Sequence, residues 1–381
     1  MSQCKIFLDN YTGQYLCGSP IQGRVLLNFS SQTPLRVVKV RVICHEHTEW
    51  LGTESYYDSE EKTHKSRDVV FKGDSDVFTD GIMLYGDQHS TTALSMGQHI
   101  YPFTIRLPQN IPGTYQSEKG SVVYKISAIV DRPMAFDYED EIVIVVHSPI
   151  DLGALGKPEL LRPTSYSDEK TLCCWCCAQG PISMDIELPK KIIVPGETVE
   201  VQIRVTNMSN SNVEGVKLEL KQRITYKAMD PSRDEKLDTH VLVDLSDVGV
   251  GAHGENTYAF KVNLPPNVSI PNFAQCRLFK SEYMYKAVAK LPSIHRHLEI
   301  KMYPEVGHIA PSQGQPPSYG AAQPPVATAP PEVSGTYSSS NIGWAPPTAP
   351  LIDLKEQEAS RGYGTNGQFE PPPPSYGSLG V

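Results

Sequence analysis

The sequence predicts an all-β protein: two tandem immunoglobulin-like β-sandwiches followed by a disordered, proline-rich C-terminal tail. Three observations predict it. Short apolar-alternating runs separated by Gly/Pro turns fill the chain up to Tyr303, and none keeps a 3.6-residue period. The second half of that region repeats the first. Beyond Tyr303 the composition changes abruptly, with fifteen of the 32 prolines and few aliphatics.

The first sandwich is assigned to residues 1–147. After a Gly/Pro turn, Ile21, Val25, Leu27 and Phe29 alternate with polar residues, as a half-buried strand requires, and Val38-Lys-Val-Arg-Val-Ile-Cys44 alternates again. The polar excursion from Thr53 to Arg67 reads as a long hairpin or loop. Tyr101–Pro108, Val122–Val130 and Glu141–His147 supply three more strands. Residues 148–170, with Pro149, Gly153, Gly156, Pro158 and Pro163, read as a linker. The second sandwich, 171–303, takes strands at Gly180–Leu188, Val199–Val205, Val216–Leu220, Tyr258–Leu264, Tyr283–Ala289 and His297–Met302. Many short strands between turns indicate sandwiches.

The internal repeat is explicit. Tyr101, Phe103, Ile105, Leu107, Pro108, Asn110 and Ile111 match Tyr258, Phe260, Val262, Leu264, Pro265, Asn267 and Val268, each offset by 157 positions. Tyr124-Lys125 matches Tyr285-Lys286, and Ile21, Val25 and Leu27 pair with Val199, Ile203 and Val205. So long a period is not that of a solenoid; it marks two homologous domains.

Charge and composition narrow the function. The net charge of −9, divided as −4 after Lys301 and −5 before it, leaves no basic stripe for nucleic acid. No apolar run approaches the ~18–20 residues that span a bilayer, and the first residues lack the apolar core of a signal peptide. The chain therefore reads as cytosolic and its eight cysteines as thiols.

Residues 304–381 cannot bury enough apolar surface to offset their ordering entropy, so their content is short motifs. Pro316-Pro317-Ser318-Tyr319 and Pro373-Pro374-Ser375-Tyr376 both read Pro-Pro-x-Tyr. Consecutive prolines preset a polyproline II helix, and WW domains take such a segment in an aromatic groove with the Tyr ring in an adjoining pocket. The contacts are Pro316, Pro317, Tyr319, Pro373, Pro374 and Tyr376. Pro347-Thr348-Ala349-Pro350 matches the tetrapeptide read by the UEV domain of ESCRT-I, with the near miss Ala327-Thr328-Ala329-Pro330 upstream. Leu351-Ile352-Asp353-Leu354 falls short of a clathrin box, because Lys355 stands where an acidic residue is wanted; it reads as a short amphipathic turn.

Over its whole length the chain resembles the arrestin domain-containing proteins, the α-arrestins. The residues that carry this are Tyr15-x-x-Gly18-x-x-Ile21-x-Gly23-x-Val25, Phe103-x-Ile105-x-Leu107-Pro108-x-x-Ile111-Pro112, Gly180-Pro-Ile-Ser183, Val194-Pro-Gly196-Glu197 and the two Pro-Pro-x-Tyr motifs. Cys17 departs from the Pro frequent before Gly18. The resemblance implies an adaptor without enzymatic activity or cofactor. Its arrestin fold engages membrane receptors or transporters, and its tail recruits HECT-type ubiquitin ligases through their WW domains. The location implied is the cytoplasm, peripherally at plasma membrane and endosomes. No residues match the phosphate-sensing polar core of visual and β-arrestins. The alternative is a redox or metabolic signalling regulator like thioredoxin-interacting protein, a related α-arrestin, which would need an exposed low-pKa cysteine.

The remaining motifs read as structural. Cys173-Cys174-Trp175-Cys176-Cys177 offers a metal site, an acylation site or plain strand residues; the last is preferred, since neighbours on one strand face opposite ways and cannot converge on one ion. His45 and His47 share a strand face with no third metal ligand in sight, and His295 and His297 beside Arg296 read as a solvated edge. Gly249-x-Gly251-x-x-Gly254 precedes a strand rather than a helix, so it is a turn and not a dinucleotide site. No catalytic motif, metal site or cofactor site emerges.

Overall fold

Strands, most of them alternating buried and exposed residues, account for nearly all of the regular structure of the computed structural model, which describes residues 3–174, 177–292 and 295–311; for 173, 174 and 177–179 only the backbone is described. All of these lie in one unit, Met1–Pro316. The first sandwich comprises β1 (Gln3–Leu8), β2 (Tyr15–Leu16), β3 (Pro20–Phe29), β4 (Thr33–Leu35), β5 (Val37–Asp58), β6 (Thr63–Gly86), β7 (Thr92–Leu94), β8 (Gly97–Arg106), β9 (Tyr115–Ser117), β10 (Gly120–Asp131), β11 (Tyr138–Ile144) and β12 (Val146–His147). Two 3-10 turns (Gly153–Leu155 and Pro158–Leu161) follow. The second sandwich comprises β13 (Thr164–Cys174), β14 (Cys177–Leu188), β15 (Ile192–Ile193), β16 (Thr198–Asn207), β17 (Gly215–Ala228), β18 (Asp234–Val248), β19 (Glu255–Asn263), β20 (Phe279–Lys290), β21 (Leu298–Met302) and β22 (Glu305–Val306).

The repeat read from sequence is a repeat of register. One sheet runs β1-β3-β8 in the first sandwich and β14-β16-β19 in the second, where β13 adds an edge. Across β3 and β8, Ile21 faces Ile105, Gly23 faces Phe103 and Val25 faces Tyr101. Across β16 and β19, the matching residues Val199–Val262, Val201–Phe260 and Ile203–Tyr258 face each other in the same way. The opposing sheets run β11-β10-β5-β6 and β21-β20-β17-β18. Even the parallel pairs recur, β2 with β12 and β15 with β22. The excursion at Thr53–Arg67 is the end of one β5–β6 hairpin, paired as far as Asp58↔Thr63. β13 begins at Thr164, inside the stretch assigned to the linker, and pairs with the neighbouring β14, while β22 lies beyond Tyr303 and pairs with the distant β15; the composition of those stretches reveals neither.

The two sandwiches keep separate cores but share strands between them. Inward residues of β17 divide along its length: Val216, Leu218 and Leu220 pack in the second core, whereas Ile224, Tyr226 and Ala228 pack in the first. β20 does the same, with Tyr283, Tyr285 and Ala287 in the second core and Phe279 in the first. Two strands of the second sandwich thus furnish part of the wall of the first. Burying apolar area is worth roughly 25 cal/mol per Å², so this shared wall ties the folding of one sandwich to the other.

Candidate functional site

The seam between the sandwiches positions everything else, and its polar centre is Glu46. On β5 the inward positions run Val40, Val42, Cys44, Glu46, Thr48, and the last two are as fully buried as the first three. The Glu46 carboxyl accepts from Arg277 N (2.9 Å to Oε1, 3.2 Å to Oε2) and from Leu278 N (3.1 Å). Thr48 Oγ1 donates to Lys227 O at 2.7 Å. A carboxyl buried without such donors would be costly; here it satisfies the backbone that leads into β20. Aromatic rings close the seam beside it. Phe279 lies 5.0 Å from Phe273, 5.6 Å from Tyr226 and 5.8 Å from Tyr115 between ring centroids, and the Tyr115 and Tyr226 hydroxyls are 3.0 Å apart. Loop ties complete it: Gly113 N donates to Asn272 O at 3.0 Å, and Asn272 Nδ2 donates to Ser148 Oγ at 3.0 Å.

Residues 305–311, the last that are described, run beside this seam. Gly307 N donates to Ile193 O and His308 N to Ile150 O, while Leu152 N donates to Ile309 O. His308 Nδ1 accepts from Ile150 N at 3.0 Å, which only the neutral ring can do. Burial and the neighbouring His147 ring, 5.8 Å away, hold the His308 pKa below its ordinary value. Beside this root a cleft of ≈ 570 Å³ opens among Ile150, Leu152, Phe273, Phe279, Tyr283 and Tyr303. Because folded His308 binds protons less readily than the unfolded chain, its contribution is present above about pH 6.5 and is lost as pH falls below that. His308→Asn, which keeps an acceptor at the Nδ1 position, is expected to show a smaller fall in melting temperature between pH 7.5 and 5.5 than wild type. Parallel curves for the two proteins would count against this role.

The sequence-predicted contacts Pro316, Pro317, Tyr319, Pro373, Pro374 and Tyr376, and Pro347, Thr348, Ala349 and Pro350, lie outside the described residues, as do Leu351–Leu354. Pro311, the last described residue, packs against the connector, its Cα 3.3 Å from where a Cβ on Gly153 would stand. The Cys173–Cys177 cluster is corrected in one respect: it does not occupy one strand but straddles a hairpin. Cys174 ends β13 and pairs with Cys177 at the start of β14.

His45 and His47 share a face, as expected, and the neighbouring strand brings carboxylates to them. His45 Nδ1 is 2.8 Å from Asp76 and its Nε2 3.2 Å from Asp74, whose same oxygen is 2.8 Å from His47 Nδ1. Burial opposes a charge on His45, yet the hydrogen bonds to Asp76 and Asp74 outweigh it and raise its pKa. These are ion-pair partners. Among the described residues no set of three or more His, Cys, Asp or Glu is arranged to hold a metal. His297 Nδ1 instead accepts from Leu291 N at 3.1 Å. Gly249–Gly254 is a turn held by Asn207 Nδ2, which donates to Gly251 O at 2.9 Å, and it leads into β19. Burial pushes the thiols of Cys4 and Cys44 up to about 12 and raises that of Cys276 further, the reverse of a reactive cysteine. Glu46 lies between His45 and His47, and its one trace in the sequence is an acidic residue at an inward register position of the strand.

Comparison with known proteins agrees with this architecture. Residues 4–153 match the family model described as arrestin (or S-antigen), N-terminal domain, and residues 178–311 match arrestin (or S-antigen), C-terminal domain. The chain is 23% identical to arrestin domain-containing protein 4 of Mus musculus over 301 residues, covering 76% of this chain and 68% of the relative. It is 23% identical to arrestin domain-containing protein 1 of Rattus norvegicus over 352 residues, covering 88% and 72%. A third relative, arrestin domain-containing protein 5 of Bos taurus, is 23% identical over 286 residues, covering 73% and 82%.

Proposed function

The chain belongs to the arrestin family, in its arrestin domain-containing (α-arrestin) branch, and from that premise we propose that it is a non-enzymatic trafficking adaptor. In this reading the paired sandwiches hold a membrane receptor or transporter from the cytoplasmic side, at plasma membrane and endosomes. The segment beyond Pro311 brings a WW-domain HECT-type ubiquitin ligase to that cargo. The observation that carries the reading is the pair of Pro-Pro-x-Tyr motifs downstream of a firmly anchored root.

The mechanism is proximity. Pro316 lies five positions after Pro311, so at about 3.3–3.6 Å per residue the first motif begins no more than roughly 18 Å from the root. A ligase bound there is held close to whatever the sandwiches grip. The second motif lies 57 positions further on, a flexible-chain span of about 40 Å r.m.s.. That suits a ligase with tandem WW domains, where linked binding raises avidity by about 10²–10⁴. Tyr319→Ala or Tyr376→Ala alone is expected to weaken ligase capture from cell extract, and the double variant to abolish it. Undiminished recovery by the double variant would refute the reading.

Pro347–Pro350 offers a second contact, to the UEV domain of ESCRT-I. A tail peptide is expected to bind that domain more tightly than its Pro347→Ala counterpart, and equal affinities would remove the contact. The redox-regulator alternative draws no support from Cys4, Cys44 or Cys276, whose thiols are raised by burial.

A further inference from the structure

Residues 132–137 join β10 to β11, and their tip reads Pro133-Met134-Ala135-Phe136, four apolar residues in succession. Met134 and Phe136 are 106% and 95% exposed, above every other large hydrophobic side chain among the described residues. Scattered apolar residues on a surface need no explanation, but a consecutive exposed run does. The turn is braced so that these side chains cannot fold under it. Arg132 N donates to Asp137 Oδ1 at 3.0 Å, Arg132 Nη1 donates to Phe136 O at 3.2 Å, and the guanidinium lies 4.3 Å from the Tyr138 ring centroid. Met134 takes φ = 55°, a conformation that side-chain-bearing residues adopt rarely. The turn also stands clear of the seam: Asp131, at one end of β10, pairs with Val37, whereas Gly120, at the other end of β10, pairs with the seam residue Thr48.

We propose that this turn is a lipid-docking tip, which inserts Met134 and Phe136 into the outer zone of a bilayer. The chemistry favours a bilayer over a protein groove. Hydrocarbon takes apolar side chains without asking for matching donors and acceptors, and the backbone of the tip is paired at Arg132 N and Phe136 O, although Arg132 Nε is buried without a hydrogen-bond partner. Below the tip stand Arg132 and Tyr138, residue types whose apolar bodies and polar ends suit the headgroup level. The charges of Arg132 and Asp137 cancel, so the surface called for is a zwitterionic one. The inference rests on the adaptor reading only in placing the protein near a membrane; its test uses neither cargo nor ligase.

Full-length protein is floated with phosphatidylcholine vesicles. Wild type is expected in the floated fraction, and adding phosphatidylserine is expected to change its yield little. Met134→Ser/Phe136→Ser removes two side chains whose burial drives binding, so vesicle affinity should fall on the order of 100-fold, with an unchanged melting temperature because both positions are exposed. Phe136→Trp should float and show a blue-shifted emission difference on vesicles. The Tyr319→Ala/Tyr376→Ala variant should float like wild type, which separates this result from ligase recruitment. Wild type that stays at the bottom, a double serine variant that floats equally, or a tryptophan signal that does not move would each overturn the proposal.

Discussion

Glu46→Ala is expected to destabilise the protein by about 2–4 kcal/mol, because it strips the acceptor from one buried and one part-buried backbone N–H at roughly 1–3 kcal/mol for the buried one and leaves a void beside them. The donors are Arg277 N and Leu278 N, at 2.9 Å and 3.1 Å. No backbone shift frees them, since Leu278 O is itself held by Lys227 N at 2.8 Å. Urea unfolding would measure the loss as a lower midpoint at constant slope. Glu46→Gln, which keeps one acceptor oxygen, should cost clearly less. Equal losses in the two variants would mean that neither the retained acceptor nor the retained volume matters at this position, and that the carboxylate itself does. The site also bears on cooperativity. Wild type is expected to unfold in one transition, and Glu46→Ala to separate it into two as the sandwiches lose their common anchor.

Phe279→Ala is the second large effect, at about 3–5 kcal/mol for a buried aromatic removed from a packed core. Its ring is 4% exposed and meets Tyr115, Tyr226 and Phe273. Gly120 shows how closely it fits, for a Cβ there would stand 2.8 Å from the Phe279 ring. Thermal melting compared with Phe136→Ala gives an internal control, since the same change at a fully exposed position should move stability by less than about 0.5 kcal/mol. A Phe279→Ala loss no larger than the control's would show that the seam is not a packed interior.

What the sequence made legible follows from locality. Ile21, Val25 and Leu27 alternate cleanly because one face of β3 is buried and the other is wet, and their partners Val199, Ile203 and Val205 repeat the pattern for the same reason. The edge strands β6 and β18 gave no such signal. Most of their positions are at least partly exposed, as the strings of Asp, Lys and Thr along them require, and charged edges that discourage further pairing blur the period-two pattern. Tyr226 and Phe279 lie outside the strand segments assigned from sequence, Val216–Leu220 and Tyr283–Ala289, and nothing local marks them as residues of the other sandwich's core. Alternation tells which face a side chain takes and is silent about what lies opposite. Glu46 was invisible for a related reason, since its donors are more than two hundred positions away. Met134 and Phe136 look in sequence like any apolar pair beside a strand, and only the turn's geometry turns them outward. The Pro-Pro-x-Tyr contacts are the converse case: their recognition depends on local spacing alone, so the sequence states them without help from the fold.

The division of β17 and β20 between two interiors has a consequence for how such chains can change. A front module transplanted from a relative would arrive without the tyrosine and phenylalanine that line its inside, because those belong to the back module. Hybrids should therefore fold only when the crossing points of both strands travel with the front piece, and random recombination at the connector should yield mostly insoluble product.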